Sequence, residues 1–186
     1  MKKIISIIIS IAMCAMLASC GGVKNEVSDT EQLTLIDTMS LEEKVGQILF
    51  VRCVDDEQTD DLMSIKPGGI LMFGRDFEGL TKDEVKEKIQ SYQDKSDIPL
   101  IIGADEEGGT VVRVSSNPNL APEKFKSPQE IYNEGGMDAV VENATEKSEL
   151  LLSLGVNMNL APVADVSTNP SDYMYDRSLG QNAEVT

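Results

Sequence analysis

Three consecutive acidic residues, Asp105, Glu106 and Glu107, stand immediately before a pair of glycines. In an extended segment, residues 105 and 107 present their carboxylates on the same side, about 7 Å apart at the ~3.3 Å rise of a strand. That separation overlaps the range of ~6.5–9.5 Å between the two carboxyl groups of inverting glycosidases. Two catalytic carboxylates must flank a sugar from opposite sides, however, and close neighbours on one strand rarely do so.

A sugar-binding role suits Asp105 better than a catalytic one. An ionised carboxylate accepts hydrogen bonds from vicinal sugar hydroxyls, and the pair Gly108 and Gly109 allows the backbone to turn tightly beside a ligand. A Mg²⁺ or Ca²⁺ site is the alternative use of clustered acids, but the ligand spacing of an EF-hand is absent. We therefore predict no bound metal and no cofactor.

The composition excludes several other chemistries. The 186 residues contain no histidine, and 16 Lys and Arg stand against 32 Asp and Glu, so the formal net charge is −16. Without histidine, these residues cannot form a Ser-His-Asp triad, a Cys-His pair or a His-ligated metal site. A chain this acidic lacks the basic surface that a phosphate backbone requires, so we expect no nucleic-acid partner.

The acidic segment follows one of four short apolar runs, which we interpret as strands. The runs are continuous, as is typical of strands that are buried on both faces of a parallel sheet. Polar or charged residues follow each run, including Asp165 after the fourth, which we expect to order the loop at that strand end. The predicted strands are residues 48–54, 70–73, 100–104 and 156–163.

Helices are predicted between the strands, because a Ser or Thr is followed three residues later by Glu at three places. In such a capping box, the hydroxyl accepts a hydrogen bond from the third backbone N–H and the Glu reaches back to the first. A longer helical stretch over 137–154 is expected to end at Gly155. The three boxes begin at Ser40, Thr81 and Ser127.

Charged residues at the carboxyl ends of alternating strands suggest the rim of a (β/α)8 barrel or the crevice of a doubly wound sheet. A closed barrel needs ~250 residues and eight strands. This sequence offers four candidate strands. The pattern therefore predicts either a small four-stranded α/β sheet or half of a barrel.

The first twenty residues have the pattern of an export signal. Two lysines precede a mostly apolar run over residues 4–17, which is shorter than the ~20 apolar residues that span a bilayer. The motif Leu-Ala-Ser-Cys-Gly that follows is similar to the bacterial lipobox, in which the cysteine, here Cys20, becomes the lipidated first residue. An ordinary cleaved signal or an N-terminal helix is the alternative.

These features predict a lipoprotein signal peptide over residues 1–19, a lipid-anchored flexible tether over 20–34, and the α/β unit over 35–186. Cleavage leaves 14 basic against 32 acidic residues, a net charge of −18. Because this charge opposes binding to anionic headgroups, membrane attachment would come only from the acyl chains on Cys20. The predicted location is the bacterial cell envelope.

If Cys14 leaves with the signal and Cys20 carries the lipid, Cys53 has no cysteine partner and is interpreted as a small core residue.

Several stretches, taken in order, resemble the N-terminal barrel domain of glycoside hydrolase family 3, specifically its β-N-acetylhexosaminidase branch. Residues 105–113 are similar to the branch's D-Q-E-G-G-R-V-x-R, with Glu106 in place of Gln and Thr110 in place of Arg. Residues 176–180 are similar to the segment that contains R-S-F-G, with Leu179 in place of Phe. The other stretches are residues 39–47 (opening helix and first strand), 67–73 (second strand) and 160–166 (fourth strand).

The resemblance implies a fold and a partial site. The expected fold is an incomplete (β/α)8 TIM barrel made of about the first four β/α units. Position by position, Asp105, Arg113 and Arg177 correspond to residues that contact the non-reducing-end sugar in this branch. The two guanidiniums would donate hydrogen bonds to hydroxyl or acetamido oxygens. The alternative for each arginine is a structural ion pair with one of the many carboxylates.

The family's catalytic groups, by the same resemblance, have no counterpart in this sequence. Members of the branch are retaining enzymes with an Asp nucleophile and a His acid/base, and their Lys-His pair and P-G-H-G loop follow the R-S-F-G segment. The sequence is therefore interpreted as the N-terminal half of a lipid-anchored exo-glycosidase that releases terminal β-linked N-acetylglucosamine. A surface-anchored sugar-binding lipoprotein without catalysis is the second hypothesis, and a gene product without function is the third. The sequence makes no prediction of oligomeric state.

Overall fold

The computed structural model describes residues 35–52 and 58–186. These residues fall into two compact units that divide between Met39 and Ser40. In the first unit, the described part is helical over residues 35–38. The predictions of a signal peptide over 1–19, lipidation at Cys20, a tether over 20–34 and a core position for Cys53 lie outside the described residues.

Four strands form one sheet in the unit from Ser40 onward. All three neighbouring pairs are parallel, and the strands lie in their sequence order. In the register, Ile70 lies opposite Ile102 and Ala104 lies opposite Asn159. The prediction of four parallel strands is confirmed, although the first and last are shorter than predicted. The strands are β1 (Phe50–Arg52), β2 (Gly69–Met72), β3 (Ile101–Ala104) and β4 (Met158–Asn159).

Helices connect the strands, and the three that follow the predicted capping boxes begin where the sequence predicts them, whereas the short helices Thr59–Ser64 and Gly74–Phe77 were not predicted. In each of the three capping boxes, the hydroxyl accepts from the backbone N–H of the Glu while the Glu carboxylate accepts from the first backbone N–H. The helices of this unit are α1 (Leu41–Ile48), α2 (Thr59–Ser64), α3 (Gly74–Phe77), α4 (Lys82–Gln93) and α5 (Pro128–Leu154), and a 3₁₀ turn (Tyr175–Arg177) follows β4. Among the residues that the structure describes, no helix is both long enough and apolar enough to cross a membrane.

Helix α5 consists of two helical pieces that meet at a glycine pair. Gly136 has a φ of 65°, and Gly135 has a φ of −154°, so neither continues the helix. The second piece therefore starts at about residue 137, as predicted. It ends at Gly155, whose φ of 93° lies in the left-handed region that glycine adopts without a steric penalty.

The core lies between the central strands and the two long helices. Ile70, Met72 and Ile102 are fully buried and pack against α4 and α5. Phe50 in β1 and Met158 in β4, by contrast, are 38% and 37% exposed. The prediction that all four strands are buried on both faces is therefore wrong for β1 and β4, the two edge strands of this sheet.

Candidate functional site

The segment that follows β3 continues along the sheet edge beside β4. Asn159 holds it there with two hydrogen bonds, because its Oδ1 accepts from the Glu106 N–H at 3.0 Å and its Nδ2 donates to the Glu106 carbonyl at 3.2 Å. This pairing places residues 105–107 at the carboxyl edge of the sheet. In open and closed parallel sheets, this is the edge where ligands bind. The signal for Asn159 in the sequence is that it is one of two amides, with Asn157, within an otherwise apolar run.

Asp105 and Arg113 form a pair at this edge. The Arg113 Nη2 donates to the Asp105 Oδ2 at 3.0 Å, and the two side chains are 22% and 27% exposed, with Asp105 the less exposed. The Arg113 guanidinium also lies 5.3 Å from the centre of the Phe73 ring. In the described part of the chain, the buried Arg113 Nε has no hydrogen-bond partner, and Asp105 Oδ1 has none either. The partly exposed Asp105 carboxylate therefore retains acceptor capacity for a ligand.

Glu106 points away from solvent and anchors the next loop. Its fully buried carboxylate accepts hydrogen bonds from the backbone N–H groups of Arg113 at 2.8 Å and Val114 at 2.7 Å. The Ser115 N–H donates to the same group at 3.4 Å, and the Ser115 hydroxyl donates a short hydrogen bond. These donors replace the hydration shell of the buried carboxylate. Glu106 therefore orders the backbone that carries Arg113.

Glu107 and Arg177 form a bidentate ion pair. The Arg177 Nε donates to one carboxylate oxygen at 2.9 Å and its Nη2 donates to the other at 2.6 Å. The hydrogen-bonded Glu107 carboxylate, itself buried, holds the pKa of the Arg177 guanidinium above its usual value. The ion-pair alternative for Arg177 is therefore present in the structure. The Arg177 Nη1 faces the Met174 sulfur at 3.4 Å, so part of the guanidinium remains outside the pair.

Lys147 is a buried cation beneath this segment that sequence reasoning missed. Its Nζ donates to the Glu107 carbonyl at 2.7 Å and lies 5.6 Å from the centre of the Phe125 ring. Burial lowers the pKa of Lys147, and the negative charges of Glu106 and Glu107 oppose that effect. The available signal was the position of Lys147 four residues before Leu151, because this spacing places both side chains on the same face of α5 and Leu151 is buried.

A tight turn follows the acidic segment, as predicted. Gly108 and Gly109 have φ values of 102° and 64°, and the Gly108 N–H donates to the Val111 carbonyl at 3.1 Å. A Cβ on Gly108 would lie 2.2 Å from the Lys126 carbonyl oxygen. The turn therefore packs against the loop before α5, and a larger residue would displace that loop.

Two other strand-end carboxylates, those of Asp76 and Asp165, do not join this site. The carboxylate of Asp76, after β2, is buried and accepts from the Phe73 N–H at 2.7 Å at the start of α3. Asp165, expected to order the loop after β4, is exposed, and its carboxylate makes no hydrogen bond within 35–52 and 58–186. In the same ranges, no group of three or more acidic or cysteine side chains is arranged to hold a metal ion.

Comparisons with known proteins agree with this architecture. Residues 40–186 match the family model described as the glycosyl hydrolase family 3 N terminal domain. "Beta-hexosaminidase A" of Pseudoalteromonas piscicida is 30% identical over 122 residues, which cover 63% of this chain and 20% of that protein. "Beta-hexosaminidase LpqI" of Mycobacterium tuberculosis is 28% identical over 150 residues, which cover 80% of this chain and 37% of that protein.

Solved structures of the same family share the fold. A family 3 β-N-acetylglucosaminidase from a Paenibacillus species superposes with a TM-score of 0.68 at 26% identity, over 79% of this chain and 28% of that one. A family 3 member from Mycobacterium smegmatis gives a TM-score of 0.66 at 24% identity, over 80% and 44%. This chain thus spans less than half the length of these relatives. The family match covers most of the sequence and all of the sheet, and the chain therefore belongs to glycosyl hydrolase family 3, as part of its TIM-barrel-like α/β N-terminal domain.

Proposed function

We propose that this chain is the N-terminal part of a retaining exo-glycosidase that hydrolyses terminal β-linked N-acetylglucosamine. The observation that carries the proposal is the Asp105–Arg113 pair, which lies partly exposed at the carboxyl end of β3. The names of the similar proteins, β-hexosaminidases and a β-N-acetylglucosaminidase, support the substrate class. A carboxylate beside a planar guanidinium offers acceptors and donors in fixed geometry to neighbouring sugar hydroxyls.

In this proposal, Asp105, Arg113 and Arg177 bind and orient the non-reducing-end sugar. Asp105 accepts hydroxyl protons, and Arg113 is kept in place by Asp105 and by the backbone anchor at Glu106. Arg177 is immobilised by the bidentate contact with Glu107, so a hydrogen bond from its remaining N–H groups to a sugar would carry little further entropic cost. These groups position substrate; they do not supply the nucleophile or the acid/base.

The bond-breaking groups are proposed to come from other parts of the enzyme. The family resemblance calls for an Asp nucleophile and a His acid/base, and the sequence contains no histidine. The partial coverage of the relatives is consistent with this division. In a barrel of eight strands, the carboxyl ends of the later strands would face residues 105–113 across the same rim.

The function is tested with Asp105→Asn in the full-length protein that carries this chain. The neutral amide removes the charge but keeps the shape, so kcat/KM for an aryl N-acetyl-β-glucosaminide should fall at least about tenfold, the worth of one hydrogen bond to a charged group. Asp165→Asn, an exposed acid after β4, is the matched control. Absence of hydrolysis by the wild-type protein, or equal rates for the two variants, would contradict the proposal.

We further propose that residues 1–19 are a lipoprotein signal peptide and that Cys20 carries the lipid that anchors the protein in a bacterial cell envelope. Residues 20–34 would then be a tether to residues 35–186, which form about four β/α units. The lipobox pattern supports this, and one similar protein, from Arthroderma benhamiae, is named as a secreted glycosyl hydrolase. Cys20→Ser should abolish incorporation of a labelled fatty acid and move the protein out of the membrane fraction. Cys53→Ser is the control. Equal labelling of the Cys20→Ser variant would contradict the assignment.

A further inference from the structure

Helix α5 contacts the backbone beside both partners of the Glu107–Arg177 ion pair. Near its start, the Gln129 Nε2 donates a hydrogen bond to the Tyr175 carbonyl, two residues before Arg177. Further along the helix, the Lys147 Nζ donates to the Glu107 carbonyl at 2.7 Å. The two contacts come from the two pieces of α5, on opposite sides of its glycine break. One helix thus holds both of the strand-end segments that the ion pair joins.

Gln129 supports the segment that carries the arginine. A Cβ on Gly180, whose φ is 69°, would lie 2.6 Å from the Gln129 Cδ, so the two residues are in close contact. The buried Ser178 hydroxyl donates to the Tyr175 carbonyl at 3.0 Å and accepts from the Gly180 N–H at 3.2 Å. The segment 175–180 therefore packs on the first turn of α5 and is closed on itself by Ser178.

Lys147 supports the other partner of the pair. The residue is 8% exposed, and burial of an ammonium group is costly unless polar or charged groups compensate for the lost water. The Glu107 carbonyl and the negative charges of Glu106 and Glu107 provide that compensation. A neutral side chain at position 147 would leave the Glu107 carbonyl without this donor, and the backbone there would be less constrained.

We propose that Gln129 and Lys147 are positioning residues, which hold Arg177 and Glu107 in the orientation in which Arg177 binds sugar. An arginine side chain has several rotatable bonds, so a bidentate contact fixes its guanidinium only where the backbone on each side of the pair is also fixed. The role of this positioning in catalysis rests on the proposed function. The position of the guanidinium itself can be measured without substrate.

The first measurement is hydrogen exchange at the Arg177 Nε–H, followed by isotope-edited NMR of the full-length protein. The signal that is absent from Arg177→Lys identifies this group. In the wild type it donates to the Glu107 carboxylate at 2.9 Å and should exchange slowly. Gln129→Met and Lys147→Met replace each polar side chain by an unbranched apolar one, and each should speed the exchange about tenfold, the worth of one hydrogen bond.

Gln93→Met is the matched control for loss of a glutamine that holds backbone. Gln93 on α4 donates to the Leu100 carbonyl at 3.1 Å and accepts from the Leu100 N–H at 2.9 Å. These contacts lie at the amino end of β3, whereas residues 105–107 follow its carboxyl end. The control should lower the stability of the protein without changing the exchange at Arg177.

The second measurement is kcat/KM for an aryl N-acetyl-β-glucosaminide. Gln129→Met or Lys147→Met should lower it about tenfold in the wild type but at most about twofold in an Arg177→Lys background. The reason is that a positioning residue acts only through the group that it positions. A residue that merely stabilises the fold would cause the same loss in both backgrounds.

Unchanged exchange in both Gln129→Met and Lys147→Met overturns the inference, even if the enzyme hydrolyses N-acetyl-β-glucosaminides. Equal losses of kcat/KM in the wild-type and Arg177→Lys backgrounds also overturn it, because the effect then does not pass through Arg177. Faster exchange in a protein that does not hydrolyse the substrate would uphold the positioning of the guanidinium and overturn the proposed function.

Discussion

At the scale of single residues, the three neighbouring carboxylates after β3 have three different surroundings. Asp105 is partly exposed beside Arg113, Glu106 is buried among backbone N–H donors, and Glu107 is buried against Arg177. Sequence reasoning separated Asp105 from the others on chemical grounds. It could not assign Glu106 and Glu107, because their partners belong to loops that only the folded chain brings near.

Lys147 makes the stability of this region depend on pH. Burial lowers its pKa, so between the folded-state value and the ordinary value of 10.5 the unfolded chain binds more protons than the folded chain. Stability contributed by this group therefore rises with pH in that window. The unfolding free energy of the wild type, relative to Lys147→Met, should increase from neutral pH toward 10.5.

Urea unfolding of both proteins across this range measures the effect. Lys86→Met, at an exposed position on α4, is the control and should leave the pH dependence of the wild type unchanged. Parallel pH profiles for the wild type and Lys147→Met would show that the folded state does not perturb the buried ammonium.

At the scale of elements, local signals predicted the helix boundaries well. Ser40, Thr81 and Ser127 begin their helices with reciprocal capping boxes, and Gly155 ends α5 in the left-handed conformation. These features depend on neighbours within a few residues, which the sequence contains. The extents of β1 and β4 were overestimated, since strand length depends on pairing with another strand and each of them has one partner in the sheet.

The capping box of α4 predicts a loss of stability in acid. The Glu84 carboxylate accepts from the Thr81 N–H at 2.8 Å, and this hydrogen bond lowers the pKa of Glu84 below its ordinary value of 4.5. A lowered folded-state pKa contributes stability above 4.5 that disappears as pH falls through the folded-state value. The Tm of Glu84→Gln should therefore lie below that of the wild type at neutral pH and converge with it in acid.

Thermal melts recorded by circular dichroism at several pH values test this expectation. Glu87→Gln, on the same helix but outside the box, removes the same charge and is the matched control. A difference between Glu84→Gln and the wild type that stays constant from neutral pH into acid would contradict the assignment.

At the scale of the whole molecule, much apolar surface of the described residues is uncovered. Leu41 and Ile48 on α1 are exposed, as are Phe50 in β1 and Met158 in β4. A parallel sheet normally has both faces and edges covered. These surfaces fit the proposal that the 186-residue chain is part of a larger barrel, whose remaining strands would pair with β1 and β4.

The same proposal predicts that the 186-residue chain does not hydrolyse an aryl N-acetyl-β-glucosaminide by itself. The residues proposed to contact sugar are present, but the sequence has no histidine to serve as the acid/base of this branch. The assay compares the purified 186-residue chain with the full-length protein at equal concentration, after circular dichroism has verified folding. Turnover by the shorter chain would place the catalytic groups among residues 1–186 and would contradict the proposed division of roles.

The sequence by itself determined three of the helix starts, the glycine turn, the number of parallel strands and the resemblance that points to Asp105, Arg113 and Arg177. These follow from local hydrogen bonds, apolar periodicity and ordered motifs. Only the tertiary structure decided which charges meet. The Glu107 carboxylate pairs with an arginine 70 positions away and its backbone carbonyl accepts from a lysine 40 positions away, and Arg52 meets Arg113 on the Phe73 ring. The physical reason is that a parallel sheet collects the carboxyl ends of distant strands at one edge, where each side chain's partners depend on the packed positions of several loops.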